Sequence, residues 1–194
     1  MPRVVDSDAR RQEILEAALV ILAESGLHGL SFRSVAQRLG GSSTLVTHYY
    51  RSRRDMLVDL TSYTIAKGRA QLSAAEHEVE EPLARLRALL QWIVPDDPQS
   101  LLEERARLNL SQARDGDPDI THFFEEWERE VRQLLRSHLA PLVPASEIDA
   151  ATDFLRALTN GLSLSMVEHP DTWTPQRQGD VIARAVTAVR GAAS

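Results

Sequence analysis

The sequence of 194 residues contains no cysteine, and only 5% of its residues are aromatic. Without cysteine the chain can form neither a disulfide framework nor a thiolate metal site, and it has no cysteine nucleophile. No apolar run approaches the length of a transmembrane helix, and charged residues stand where a signal peptide would need its apolar core. We therefore expect a soluble cytoplasmic protein with no membrane partner. Its hydrophobic fraction of 43% is sufficient for a packed core.

The motifs of the common enzyme sites are missing as well. None of the six histidines has a glutamate three residues before it, which excludes the Glu-x-x-His pairs of di-iron bundles. The sequence also lacks HExxH, GxSxG and a glycine-rich phosphate loop. We expect no catalysis, no cofactor and no metal. A helical-bundle enzyme and a protein-interaction bundle without DNA binding are the alternatives to the regulator inferred below.

The net charge of −6 is distributed unevenly along the chain. Residues 1–55 hold eight arginines and six acidic residues, whereas residues 56–194 hold 14 basic and 22 acidic residues. Such asymmetry is compatible with a segment that faces nucleic acid on an otherwise acidic body. A difference of this size also arises by chance, so charge alone leaves both interpretations open.

Apolar residues recur at helical spacing along nearly the whole chain, and no segment alternates with the period of a strand. Gly26 is the predicted left-handed end of the first helix, and Ser31 and Ser52 are predicted caps of later helices. Capping residues also precede prolines that start helices, at Asp97, Asp117 and Thr174 and, more weakly, at Glu81. The pattern predicts an all-α fold of about nine helices, over residues 7–25, 31–38, 42–49, 53–75, 82–94, 98–114, 118–139, 146–168 (capped near Ser146) and 175–191.

The second and third of these helices are short, and Gly40 and Gly41 separate them, as in a helix-turn-helix. The second helix packs through its apolar face, which leaves the third free to present polar side chains to a DNA major groove. That exposed face carries short donors and acceptors, followed by residues suited to phosphate oxygens: Ser42, Ser43, Thr44, Thr47 and His48, then Tyr49, Arg51 and Arg53. A solvated helix between two core helices would show the same spacing.

Residues 10–57 resemble the N-terminal domain of the tetracycline-repressor (TetR) family of regulators. That family shows a first helix like RRQEILEAALVILAESG and then a turn and helix of the form G-V-S-x-G-x-L-Y-x-H-F-x-S-K-x-x-L; here the run is GGSSTLVTHYYRSRRDML. The THYY segment is nearest to the form found in the choline-responsive BetI branch. The run from Asn160 through His169 to Pro175 is similar to the ligand-binding domain of that branch. Departures from the family pattern are Gly41 for Val, Thr44 for Gly, Thr47 for Tyr and Tyr50 for Phe.

The resemblance implies two domains, a helix-turn-helix domain over residues 1–52 and a ligand-binding and dimerisation domain over residues 53–194. It implies a regulator, by family default a repressor, that binds a palindromic double-stranded DNA operator and is released by a small-molecule effector. Ser31 and Arg33 would contact phosphates, and Tyr49 and Arg53 would grip them. Base edges or nearby phosphates would be met by Ser43, Thr44, Thr47 and His48. Tyr50 stands where the family keeps a core aromatic, so we assign it to packing.

The last two predicted helices each carry an apolar stripe: Phe154, Leu158, Gly161 and Leu162 on one, Ile182, Ala185, Val186 and Val189 on the other. From spacing alone these stripes could form a dimer surface or close the core of one chain. TetR-like regulators dimerise through their last two helices, so the resemblance implies a homodimer. It also implies a pocket for an effector, whose candidate lining residues are large or polar members of apolar helices: Tyr63, Trp92, Asn109, Gln112, Phe123, Trp127 and Asn160.

Overall fold

A computed structural model describes the backbone of residues 3–192 and the side chains of residues 7–114 and 116–191. Over these residues the chain forms helices and no strand, which confirms the all-α prediction. The helices are α1 (Arg3–Gly29), α2 (Phe32–Arg38), α3 (Ser43–Tyr49), α4 (Arg53–Glu76), α5 (Pro82–Ile93), α6 (Pro98–Ser111), α7 (Pro118–Leu139), α8 (Ile148–Glu168) and α9 (Pro175–Ala192). None of the described helices is both long and apolar enough to cross a membrane.

The predicted caps start the helices that they precede. Ser31 and Ser34 cap each other's backbone at the start of α2, and the amide of Asp55 donates to Ser52 Oγ at 3.0 Å at the start of α4. Each helix with proline at its first position has an acceptor side chain just before it: Glu81 accepts from Ala84 N at 2.6 Å, Asp97 from Gln99 N at 2.7 Å, Asp117 from Asp119 N at 3.0 Å and Thr174 from Arg177 N at 3.3 Å. These bonds satisfy amides that have no partner within the helix.

The first helix continues past its predicted end. Gly26 has φ 62° and ψ −166°, so the predicted positive φ is confirmed, but the chain resumes helical structure and ends at Gly29. The predicted end at residue 25 thus coincides with a kink, beyond which a further helical turn runs to Gly29. The interruption is capped from a distant helix, because the side-chain amide of Asn109 donates to the carbonyls of Leu22 and Ala23, each at 3.0 Å.

Two other predicted boundaries are wrong. α8 begins at Ile148 rather than at residue 146, since the amide of Glu147 donates to Pro144 O at 2.9 Å and a turn occupies the residues next to Ser146. α6 ends at Ser111 rather than at residue 114, because the chain tightens into a 3-10 turn over Arg114–Gly116.

Backbone contacts divide the chain into two compact units. The first, which we call the reader unit, comprises residues up to Ala66 together with Leu102–Glu125; the second, the sensor unit, comprises Lys67–Leu101 and the residues from Glu126 onward. The reader unit therefore includes most of α6 and the start of α7 as well as α1–α3. A functional boundary between residues 52 and 53 stays a prediction.

Each unit has its own buried core. In the reader unit, α1–α4 pack with residues of α6 and α7 such as Ala106, Leu110 and Phe124. Arg54 of α4 also pairs with Asp119 of α7 at 2.8 Å. The core of the sensor unit is built from α5, α7, α8 and α9, with fully buried leucines on α5 and α7. The core of the reader unit thus includes residues of helices that lie beyond the domain boundary implied by the family resemblance.

The turn between α2 and α3 contains two glycines in different conformations. Gly40 has φ 66°, whereas Gly41 lies outside the positive-φ region, and a Cβ on Gly41 would make ordinary contacts with Ala36 O at 3.9 Å and Leu45 Cβ at 4.0 Å. Because an L side chain is strained only at positive φ, Gly40→Ala should lower the free energy of unfolding by about 1 kcal/mol. Gly41→Ala should raise it by about 0.4–1 kcal/mol, since the unfolded chain loses freedom.

Urea denaturation of both variants beside the wild-type protein measures these changes. Equal effects of the two substitutions would contradict the assignment of the turn conformation to Gly40.

Candidate nucleic-acid interface

The third helix, α3, is fixed to the reader unit by one side only. Val35 and Ala36 of α2 are buried, the amide of Gly41 donates to Ala36 O at 2.9 Å, and Val46 is the buried residue within α3. Val46 faces the core, Leu45 and Tyr49 pack partly against it, and the remaining residues of this short helix face solvent. The geometry is that of a helix-turn-helix whose second helix is available for contact.

The predicted DNA-contacting residues lie on this solvent-facing side and at the adjoining ends of α2 and α4. Eight of them are exposed and Tyr49 is half-buried: Ser31, Arg33, Ser42, Ser43, Thr44, Thr47, His48 and Arg53. Ser42 is the N-cap of α3, yet its side chain makes no capping bond, so its hydroxyl is available to a ligand. Thr47 Oγ1 donates to Thr44 O at 3.2 Å, and the rings of His48 and Tyr49 pack edge to face at 5.3 Å.

The exposed arginines near α3 differ from the other arginines of the same region in their ion pairing. Among the described side chains of residues 7–66, Arg10, Arg11, Arg38 and Arg54 each pair with a carboxylate. Three exposed arginines have no acidic partner recorded within the described chain: Arg33, Arg51 and Arg53. An exposed guanidinium with no acidic neighbour is free to bind an external anion bidentately. Among the described arginines of residues 7–66, those without an acidic partner therefore lie beside α3.

One partly buried polar network joins the end of α3 to α1 and α4. Tyr50, the C-cap of α3, is only 5% exposed, which confirms its assignment to the core, and its hydroxyl donates to Asp59 Oδ2 at 2.5 Å. Arg11 donates to the same carboxylate through Nε at 2.6 Å and through Nη2. Burial and the bond to Asp59 raise the pKa of Tyr50, and the bond to Asp59 raises the pKa of Arg11.

Sequence reasoning did not identify Asp59. The available signal was the tyrosine at position 50, where the family pattern has phenylalanine: a hydroxyl placed in a core position needs a hydrogen-bond partner. Nothing in the sequence says which acidic residue supplies it, because the bond joins residues on two different elements.

The predicted effector-lining residues belong to both compact units. Tyr63, Asn109, Gln112 and Phe123 belong to the reader unit, whereas Trp92, Trp127 and Asn160 belong to the sensor unit. In the reader unit, Asn109 caps the break in α1, the hydroxyl of Tyr63 donates to Glu16 at 3.2 Å, and Phe123 packs against Phe124 at 5.0 Å. Gln112 is exposed. The hydrogen bonds of Asn109 join α6 to α1 and so stabilise the reader unit.

Two tryptophans meet in the sensor unit. The rings of Trp92 on α5 and Trp127 on α7 lie 6.4 Å apart and are tilted by 44°, and both side chains are half-buried. Gly68 of α4 lies against this pair, because a Cβ built there would approach Trp92 Cζ2 to 2.8 Å. Asn160 is exposed and accepts from Arg156 Nη1 at 2.5 Å. Trp92 and Trp127 are the only two of the candidates that the described structure brings into contact across helices of the sensor unit.

The two predicted dimer stripes differ in exposure. Leu162 of α8 and the whole α9 stripe are buried in the core of the sensor unit: Ile182, Ala185, Val186 and Val189. Phe154 is 48% exposed, Gly161 is exposed and Leu158 is half-buried. A second exposed apolar residue, Leu164 at 41%, lies three residues beyond Gly161 on the same helix. The α9 stripe therefore packs inside its own chain, and an apolar surface remains on α8.

Comparison with known families matches both parts of the chain. Residues 14–60 match the bacterial regulatory proteins of the tetR family, and residues 82–191 match the C-terminal domain of BetI-type transcriptional repressors. Relatives include the HTH-type transcriptional regulator BetI of Yersinia pestis (strain Pestoides F), 26% identical over 166 residues that cover 84% of each chain. The regulator of the same name from Pectobacterium carotovorum subsp. carotovorum (strain PC1) is 27% identical over 166 residues, covering 84% of this chain and 85% of its own.

Solved structures share the fold over nearly the full length. A transcriptional regulator from Rhodococcus sp. Rha1 superimposes with a TM-score of 0.83 at 22% identity, covering 94% of this chain and 97% of its own. The choline complex of a Saccharomonospora viridis protein superimposes with a TM-score of 0.82 at 18% identity, covering 93% and 96%. With both family matches and a helix-turn-helix that exposes its second helix, the chain belongs to the tetR family of bacterial regulatory proteins and is a transcriptional regulator with a BetI-type C-terminal domain.

Proposed function

We propose that this regulator binds a palindromic double-stranded DNA operator as a homodimer in the cytoplasm, with α3 of each protomer in a major groove. The observation that carries the proposal is the solvent-facing side of α3, where hydroxyl and imidazole groups stand beside Arg33, Arg51 and Arg53, which have no acidic partner recorded within the described chain. Neutral donors and acceptors of this length suit base edges, and guanidinium groups suit phosphates.

Within that surface the roles divide by reach and charge. Ser31, Arg33, Tyr49 and Arg53 bind phosphates and fix the register of the protein on the duplex. The side chains of α3 itself meet the groove: Ser42, Ser43, Thr44, Thr47 and His48. Thr44 stands where the family pattern has glycine, so its β-branched side chain keeps the backbone of α3 further from the DNA at that point.

The dimer surface that we propose is the exposed stripe of α8. Phe154, Ala157, Gly161 and Leu164 recur at helical spacing on one side of α8, and all four are exposed. Exposed alanine and glycine allow close approach of a second helix, while the two large apolar side chains supply buried area. A two-fold dimer presents the same stripe from both protomers, and it also pairs the two reading helices for a palindrome. The buried α9 stripe packs in the same core as the buried residues of α8.

The effector that we propose binds in the sensor unit at the tryptophan pair. Two half-buried indoles from different helices offer π faces to a cation that lacks hydrogen-bond donors, such as a quaternary ammonium group. The choline found in the Saccharomonospora viridis neighbour supports this class of ligand. An effector releases the operator only if it binds the DNA-free conformation more tightly than the DNA-bound one.

The DNA proposal is tested by gel shift with duplex DNA from the region upstream of the gene, over a series of salt concentrations. Arg53→Ala should weaken binding to every sequence and reduce the slope of log affinity against log salt by about one per bound protomer, because one phosphate contact is lost. Arg54→Ala is the matched control: this neighbouring arginine already pairs with Asp119 at 2.8 Å and should change the slope less.

An Arg53→Ala slope equal to that of the wild-type protein would remove Arg53 from the phosphate contacts. A wild-type protein that shifts no upstream fragment at any salt concentration would contradict operator binding itself.

The dimer proposal predicts that Phe154→Asp or Leu164→Asp converts the protein to a monomer, because a charge would have to be buried in the interface. Sedimentation equilibrium measures the mass. Val58→Asp is the matched control, since Val58 is 53% exposed but lies on α4. Dimers that persist in both α8 variants, or a monomer in the control, would contradict the assignment to α8.

The effector proposal predicts that the wild-type protein binds choline, used as the probe, and that Trp92→Leu or Trp127→Leu weakens this binding about tenfold. That loss corresponds to about 1–2 kcal/mol for a desolvated cation on an indole face. Isothermal titration calorimetry measures the affinities. Trp173→Leu should have no effect, because the ring of Trp173 lies 4.6 Å from the guanidinium of Arg177 instead. A wild-type protein that does not bind choline would contradict this ligand.

A further inference from the structure

The end of the reading helix is held by a hydrogen bond that the family pattern lacks. Tyr50 closes α3, and the backbone amide of Tyr50 donates to Val46 O. Its ring occupies the core position where related sequences have phenylalanine, and its hydroxyl donates to Asp59 of α4 at 2.5 Å. Asp59 in turn accepts two bonds from Arg11 of α1. One carboxylate therefore ties together three helices of the reader unit.

The charges in this network suit a fixed geometry. A carboxylate between a guanidinium and a phenol accepts from both, and Arg11 binds it through two nitrogens in a planar fork. The raised pKa of Tyr50, caused first by burial and then by Asp59, keeps the phenol protonated and hence a donor. A buried hydroxyl with no acceptor would be unfavourable, so the bond constrains where the end of α3 can lie.

We infer that Asp59 and the hydroxyl of Tyr50 are positioning residues that set the orientation of α3 and thereby the sequence selectivity of DNA binding. The inference rests on the proposed reading of DNA by α3, and it goes further because neither residue faces the DNA. α3 has seven residues, and within it Val46 is the buried one. Leu45 and Tyr49 also pack partly against the core, and to these apolar contacts the bond at the C-terminal end adds a polar contact of fixed geometry.

A change in the orientation of α3 should affect sequence selectivity more than it affects non-specific affinity for DNA. Base-edge contacts from short side chains such as Thr47 and Ser43 tolerate only about 0.5 Å of displacement. Long arginine side chains can follow a phosphate over a larger distance, so non-specific binding is less sensitive to the same displacement. Loss of the Tyr50–Asp59 bond should therefore reduce binding to the preferred sequence while binding to unrelated DNA stays unchanged.

The test compares the affinities of each variant for two duplexes of equal length and base composition. One duplex is enriched from a random library by the wild-type protein, and the other is unrelated in sequence. Tyr50→Phe keeps the ring and removes only the hydroxyl, so the fold should persist, as a thermal melt will verify. The ratio of the two affinities should fall about fivefold or more, the size of one base contact, with the affinity for the unrelated duplex unchanged.

A double-mutant cycle and a control separate positioning from general damage. Asp59→Ala, which removes the acceptor, should lower the same ratio, and the Tyr50→Phe and Asp59→Ala double variant should be no worse than Asp59→Ala, because the hydroxyl acts through the carboxylate. Glu24→Gln also disrupts a two-bond arginine pair, that with Arg38 between α1 and α2, but leaves α3 untouched and should not change the ratio.

The inference is overturned if Tyr50→Phe leaves the ratio unchanged, if it weakens both duplexes equally, if the two substitutions add independently, or if Glu24→Gln lowers the ratio as much. Enrichment of no sequence by the wild-type protein is a different failure: the proposed function itself then fails, and the inference fails with it.

Discussion

The place of α3 depends on burial at two points of a very short helix. Val46 enters the core, Tyr50 closes the end, and the Gly40 turn directs the chain between α2 and α3. Seven residues cannot form a stable helix by themselves in water, so these tertiary contacts account for the helix as well as for its direction. Everything that we assign to DNA recognition follows from the fact that one side of α3 is held and the other is left in solvent.

The rest of the reader unit supports those contacts. Arg11 and Asp59 join α1 and α4 at the end of α3, and Arg38 and Glu24 join α2 to α1. Asn109 of α6 holds the carbonyls exposed where Gly26 interrupts α1. α6, which lies outside the helix-turn-helix, thus stabilises the break in α1. α4 contributes residues to both compact units.

Local features of the sequence predict most of the fold because their causes are local. Asp97 and Asp117 cap the helices that start at the following prolines through bonds spanning two or three residues, so neighbouring letters suffice. Contacts between distant elements cannot be predicted from any single stretch of the sequence. The bonds of Asn109 to α1, the bond of Tyr50 to Asp59, and the burial of the α9 stripe inside its own chain all required the structure. The exposed surface of α3 could be predicted in part. The spacing of its polar residues indicated that such a surface exists, but only the burial seen in the structure defined which side of α3 faces solvent.

We propose that a dimer of this regulator reads DNA with paired α3 helices. Selection of random duplexes by the wild-type protein tests it most directly, because the recovered sequences record both the base preferences and the symmetry of the reader. We expect enrichment of an inverted repeat whose half-sites are separated by about one helical turn or a multiple of it, on the same face of the duplex. Recovery of no sequence, or of a single unrepeated site, would contradict the account.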